Sequence, residues 1–386
     1  MHEQPSRIPS LDGLRAISIC FVMISHLLWT EPFIKLHVFG IKRFDHLGPL
    51  GVRIFFVISG FLITSLLLKE LDTKKHINLR KFYFRRTLRI FPAYYFFLLV
   101  VIILQAIGHV QLAPGDVLHA LTYTVNYHSE RSWYIGHSWS LSVEEQFYLL
   151  WPTVLLFAGK HRGLWIASSF IILCPMIRLG IWYLFPWLVK YEIGYRFETV
   201  ADSVAIGCIL ASTQKWIISQ NIYHNILRSK VFFIVPIVVL YASSLNERSR
   251  LSLLFGITLQ NVGIAACIAW CVTNHSGKIG KVLNSKPIVF LGVISYSVYL
   301  WQQLFLVHNS KSIISQFPIS LILIGLASLI SYYGIERPFL RIRQQLEDKI
   351  FVRTTYSTIH QTEYDRTPHY GQFNQLPEEV ELKPKT

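Results

Sequence analysis

Residues 10–29 read SLDGLRAISICFVMISHLLW, a run long and apolar enough to cross a bilayer core about 30 Å thick as a helix. It carries Arg15 near one end and His26 near the other. An ionisable side chain within a membrane helix costs about 2.5 to 3.5 kcal/mol even on lenient insertion scales, so such residues are rare and mark function by default. The stretch therefore settles the class of fold and says where chemistry is to be sought.

The rest of the chain agrees. Of its 386 residues 52% are hydrophobic and 15% charged, against about 25% charged in a soluble domain. Apolar runs recur at roughly 11–29, 50–69, 88–108, 139–158, 164–186, 199–213, 231–245, 253–273, 288–307 and 317–335. The expected fold is an all-α polytopic membrane protein of about ten transmembrane helices. Its membrane domain covers residues 1–343, and residues 344–386 form a polar, disordered tail.

The formal net charge is +15, which in a soluble protein would suggest nucleic acid. Here the basic residues gather in alternate loops: 70–89, 159–163, 214–230, 274–287 and the tail from Arg337. That pattern reads as positive-inside anchoring, with these loops and both termini in the cytoplasm and no nucleic-acid partner. Counting residues 116–126 (DVLHALTYTVN) as a span would put basic loops on both sides, so they read as an external or re-entrant element. Cys20, Cys174, Cys208, Cys267 and Cys271 all fall in expected spans without paired zinc-site spacing, which makes them core thiols and gives no metal site. No cleavage signal follows the first span, which is expected to stay as an uncleaved anchor.

Arg15 and His26 are eleven positions apart, which is three helical turns plus about 20°, so they share one face about 16.5 Å apart along the axis. An arginine snorkelling to the inner headgroups and an interfacial histidine would also account for them. In HSWSLSVEEQFYLLWP (137–152) two acids open an apolar helix, and Glu144 lies about one and a half turns in, near the depth expected of His26. Glu145 points about 100° away and suits a helix N-terminus dipole. His26 and Glu144 thus form a candidate general base with its orienting partner. In KFYFRRTLRIFPAYYFF (81–97), Arg85, Arg86 and Arg89 are helical neighbours at the start of the third span. They suit inner-face anchoring or, beside Arg15, bidentate binding of phosphate groups. Ser59 and Gly60 allow close helix approach, and Tyr296, Trp301 and Glu336 need no chemistry to explain them.

Together these motifs resemble the membrane-bound acyltransferase family 3, bacterial O-acyltransferases of cell-surface glycans of the peptidoglycan and lipopolysaccharide O-acetylase type. The matching pieces are SLDGLRAI with the Arg15 to His26 spacing, GVRIFFVISGFLI, FRRTLRIFPAYY, HSWSLSVEEQFYLLWP, ISYSVYLW and IERPF, in the family's order across residues 8–343. The resemblance implies a multi-pass protein of the inner (plasma) membrane, a cytoplasmic acyl-CoA donor, with acetyl-CoA favoured, and a saccharide or lipid-linked glycan acceptor. It also implies that Arg15, His26, Arg86, Arg89 and Glu144 are the functional set, with His26, oriented by Glu144, expected to deprotonate a sugar hydroxyl or to take the acyl group itself. Two positions depart from it: many relatives have an acid where Arg53 stands, and a histidine where Gln302 stands. The C-terminal esterase-like domain of some relatives is not expected in this chain. A proton-coupled exporter with an Arg-His-Glu relay is the rival from another class, but it calls for inverted repeats, and none is evident.

Overall fold

The computed structural model describes residues 8–30, 33, 44–189, 193–220, 227, 229–244, 250–308, 310–347 and 349–350, and among them there is no strand. The helices of eleven or more residues among those described are α1 (Leu11–Leu27), α2 (Leu47–Lys74), α3 (Leu79–Ala106), α4 (Trp139–Leu184), α5 (Phe197–Ser219), α6 (Ile234–Ser244), α7 (Ile257–Thr273), α8 (Lys286–Phe305), α9 (Ile319–Ser331) and α10 (Arg337–Glu347). Each apolar run of the sequence overlaps one of them. Among the described residues six stretches are long and apolar enough to cross a membrane: Leu47–Lys74, Leu79–Ala106, Trp133–Leu184, Ser252–Thr273, Lys286–Phe305 and Ile319–Glu347. The expectation of ten crossings is thus met for six by length and composition.

Helix α4 corrects that figure in one place. As a single rod its 46 residues would extend about 69 Å, more than twice the bilayer core. Gly159 interrupts it with φ 71° and ψ −179°, a backbone conformation open to glycine and strained for other residues. Beyond the break the chain doubles back, because a Cβ on Gly163 would lie 2.6 Å from Leu155 Cδ2, whereas residues eight apart in a straight helix are separated by about 12 Å. The two runs 139–158 and 164–186 are therefore a helical hairpin, and the basic segment GKHRG is its turn.

Helix α5 occupies the middle, and every residue from Thr199 to Cys208 is buried. A helix buried on all sides belongs among other helices and not against lipid. It packs on α2 and α4. The α2–α5 crossing brings backbone against backbone: a Cβ on Gly60 would sit 2.0 Å from the Val204 carbonyl oxygen, and one on Gly207 would sit 2.2 Å from that of Val57. Arg178 on α4, Asp202 on α5 and Thr258 on α7 join at the core, with Arg178 Nη2 2.6 Å from Asp202 Oδ2 and 3.1 Å from Thr258 Oγ1. Helix α1 packs on α2 and α8, which sets His26 beside the C-terminal end of α8.

The segment 116–126 holds a six-residue helix, Asp116–Leu121, too short to span at about 9 Å. Tyr94 and Tyr95 on α3 pin it by donating to the carbonyls of Ala120 (2.9 Å) and Leu121 (3.1 Å). The chain divides into units Met1–Phe339 and Leu340–Thr386, four residues earlier than the boundary expected at 343. Of the expected tail, residues 351–386 lie outside the described residues.

Candidate functional site

His26 stands in the last turn of α1, half-buried, with its Nδ1 2.6 Å from Gln302 Oε1 on α8. With that oxygen accepting, Nδ1 carries the proton and Nε2 keeps its lone pair, the form a general base requires. The ring meets Trp133 edge-on at 5.2 Å. It lines a cavity of about 500 Å³ together with Trp133, His137, Trp139, Tyr299 and Gln303.

A second histidine in this cavity is held the same way. The backbone N–H of His137 donates to Gln303 Oε1 at 3.1 Å, so that atom is an acceptor, and His137 Nδ1, 2.9 Å from the same oxygen, must be the protonated nitrogen. Its Nε2 is buried without a partner. Tyr299 fixes the turn by donating to the His137 carbonyl at 2.9 Å and lying 2.6 Å from Ser140 Oγ. Adjacent glutamines on α8 therefore hold two imidazoles as Nδ1–H tautomers on one cavity wall. Beyond the end of α8, the His308 ring lies against Trp133, tilted by 46° with the ring centroids 3.8 Å apart. Its pKa is pushed down to about 4, mainly by burial and further by His26 nearby.

Glu144 is not at this wall. Its Oε1 accepts from Ser59 Oγ at 2.5 Å, and Tyr148 donates to the same hydroxyl at 2.9 Å. The charges acting on it are those of Arg86 and Arg15. Helix register explains the displacement. Gly48 on α2 faces Ser25 of α1, and Gly51 faces Ser18 and Val22. Ser59, two turns beyond Gly51, then falls at the Arg15 end of α1. The sequence estimate of depth took α4 to begin at the membrane surface, but Trp139 at its start already lines the cavity, together with Trp133 and Gly136 of the short helix before it. Glu144 sits correspondingly further in than His26, and Gln302 occupies the place at Nδ1 that the sequence assigned to it.

The arginines form the other pole. Arg86 lies 3.5 Å over the Tyr148 ring and has its Nε 3.7 Å from Glu145 Oε1. Arg15 Nη1 is 3.2 Å from Asp12 Oδ1. The charge of Arg89 reaches Glu336, which accepts from Ser297. The structure thus sets Glu144 in the field of Arg86 and Arg15, sets Glu336 in that of Arg89, and gives His26 a different partner, Gln302. Such a pole, cationic but interleaved with carboxylates, can hold an anionic group by charge-assisted bonds.

Sequence reasoning did not assign His137, Gln303, Arg178 or Asp202. The signal for Arg178 and Asp202 was present, since both are ionisable residues inside apolar runs, as Arg15 and His26 are. Among the described residues no group of three His, Cys, Asp or Glu side chains could hold a metal ion.

An acyltransferase domain family model matches residues 8–336. The chain is 28% identical over 365 residues to a putative peptidoglycan O-acetyltransferase of Bacillus subtilis strain 168, covering 86% of this chain and 54% of the relative. It is 30% identical over 368 residues to the O-acetyltransferase OatA of Staphylococcus aureus strain NCTC 8325, covering 86% and 57%. To the peptidoglycan O-acetyltransferase OatA of Listeria monocytogenes it is 28% identical over 334 residues, covering 76% and 48%. The chain thus spans about half the length of the curated relatives it matches. No solved structure matches.

Proposed function

The chain belongs to the acyltransferase family, and from that premise we propose that it is a multi-pass O-acyltransferase of the inner membrane, moving an acetyl group from acetyl-CoA to a saccharide hydroxyl. The observation that carries the reading is His26, its Nδ1 bound to Gln302 and its ring on the wall of an aromatic cavity large enough for a sugar. His26 Nε2 takes the hydroxyl proton as that oxygen attacks the thioester carbonyl. The C–O ester bond forms, the C–S bond breaks, and the coenzyme A sulfur leaves with the proton that His26 returns. Gln302 is the positioning residue for the base.

Arg15, Arg86 and Arg89 are the proposed partners of the donor's phosphates, at the cytoplasmic side where the basic loops lie. Glu144, tied to Ser59 and in the field of Arg86 and Arg15, sets the charge balance of that donor site. The relatives named for peptidoglycan support an envelope glycan, free or lipid-linked, as acceptor. The test is transfer of label from acetyl-labelled coenzyme A to envelope saccharide in membranes with and without the protein. Protein-dependent label in an alkali-labile ester is expected, and its absence would overturn the reading.

A further inference from the structure

Beneath the Arg86 guanidinium lies a buried aromatic ring. It belongs to Tyr148 on α4, and the Arg86 Cζ stands 3.5 Å from its centroid. Helix register puts the two together. Tyr83, three residues before Arg86 on α3, donates to the Leu149 carbonyl at 2.8 Å, so α3 is fixed against α4 one residue beyond Tyr148. Arg86, about one turn further along that side of α3, then meets the Tyr148 ring.

The ring is itself tied down. Its hydroxyl donates to Ser59 Oγ on α2 at 2.9 Å, and Ser59 donates in turn to Glu144 Oε1 at 2.5 Å. Glu144 precedes Tyr148 by four residues on α4, so the hydrogen bonds make a closed clasp of one helical turn and one serine. A cation over an aromatic face is attracted by the ring quadrupole, most strongly where water is excluded. The stack covers one face of the guanidinium and leaves its N–H donors, which lie in its plane, to the sides. One side is turned to Glu145, whose Oε1 is 3.7 Å from Arg86 Nε, too far for a hydrogen bond. The ring thus sets the plane of the fork, and the carboxylate steers its rotation in that plane.

We propose that Tyr148 is a positioning residue for the donor. Its ring fixes the plane in which Arg86 offers two parallel N–H bonds to a phosphate group, and its hydroxyl, through Ser59 and Glu144, fixes the ring. This rests on the acyltransferase reading, with Arg86 as a partner of the donor's phosphates, and adds to it the side chain that orients that partner. Bidentate recognition needs the fork and the phosphate oxygens in register. A guanidinium released from the ring keeps its charge but loses that register.

The experiment is equilibrium binding of coenzyme A to the full chain in lipid nanodiscs, with steady-state acetyl transfer measured while donor and saccharide are varied separately. Tyr148→Leu removes ring and hydroxyl and is expected to weaken coenzyme A about 2- to 30-fold, raising the donor KM and leaving the acceptor KM in place. Tyr148→Phe keeps the ring under Arg86, frees it from Ser59, and should show a smaller loss. In an Arg86→Gln background neither variant should weaken coenzyme A further, because the ring then has no cation to hold, whereas a packing defect would act in both backgrounds. Thermal unfolding is recorded throughout, and if Tyr148→Leu does not fold the decision falls to Tyr148→Phe. Equal weakening with and without Arg86, or a shift in the acceptor KM instead, would overturn the proposal. Weaker coenzyme A binding in Arg86→Gln with none in either Tyr148 variant would leave the acyltransferase reading standing and this inference refuted. Binding that depends on the Arg86–Tyr148 pair, with no acetyl transfer to any saccharide, would do the reverse. No coenzyme A binding by the wild-type protein would overturn both.

Discussion

Replacing Gln302 by leucine isolates the claim that this side chain orients the reacting base. Gln302 is fully buried and its Oε1 lies 2.6 Å from His26 Nδ1. Leucine is of similar size but accepts nothing, so a buried N–H is left unpaired, at a cost of about 1 to 3 kcal/mol. The ring can recover by turning or by changing tautomer, and either change takes the lone pair at Nε2 away from the cavity. If the full cost falls on the transferring geometry, the rate drops about 5- to 150-fold. That is less than the roughly 10²- to 10⁴-fold expected when the base itself is removed in His26→Ala. Because the two residues act as a unit, the double variant should be little slower than His26→Ala alone. Gln302→Glu keeps an oxygen at the same place and should retain most of the rate, which separates orientation from mere packing. The assay is single-turnover acetyl transfer by protein in nanodiscs, with thermal unfolding recorded for each variant. A Gln302→Leu protein that transfers at the wild-type rate while His26→Ala is inactive would refute the reasoning.

Glu144→Gln and Arg86→Gln should couple by about 0.5 to 3 kcal/mol in a double-mutant cycle on donor affinity, whereas Glu144→Gln and His26→Ala should combine additively, since their sites do not touch. Coupling to His26 instead would restore Glu144 to the base. Gly207→Val should lower the unfolding temperature and the folded yield, because the added Cβ meets the Val57 carbonyl oxygen at 2.2 Å and overpacking costs about 1 to 3 kcal/mol or more. An unchanged melt would contradict the close α2–α5 crossing. His308, held down to about 4 from its ordinary 6.5, binds fewer protons folded than unfolded between those values. Its contribution is constant above pH 6.5 and is lost as pH falls toward 4, so thermal unfolding across that window should show a slope that His308→Phe flattens.

The helices were legible in the sequence because apolar runs about 20 residues long leave few alternatives in a bilayer. Even the hairpin within α4 was visible as the basic interruption at 159–163. The pairing of side chains between helices was not legible. Arg15 and His26 could be set on one face of α1 by counting turns, but counting says nothing about which neighbour that face meets. The contact with Gln302 depends on α1 lying against α8, nearly three hundred residues away in the chain. Depth failed for a related reason, since α4 starts inside the protein at Trp139 and its first residues could not be measured from the membrane surface. Arg178 and Asp202 show the opposite case: the signal was in the sequence, but only the fold shows that they neutralise one another beside the cavity.

The central claim is that His26 is the base for acyl transfer within the membrane domain. Its most direct test is purified protein in liposomes, supplied with acetyl-labelled coenzyme A and a saccharide acceptor, counting coenzyme A thiol released against acetyl ester formed. The wild-type protein should release one thiol for each ester, and His26→Ala, inserted and melting as the wild type does, should fall by about 10² to 10⁴ in both. Ester formation by His26→Ala at the wild-type rate would contradict the account.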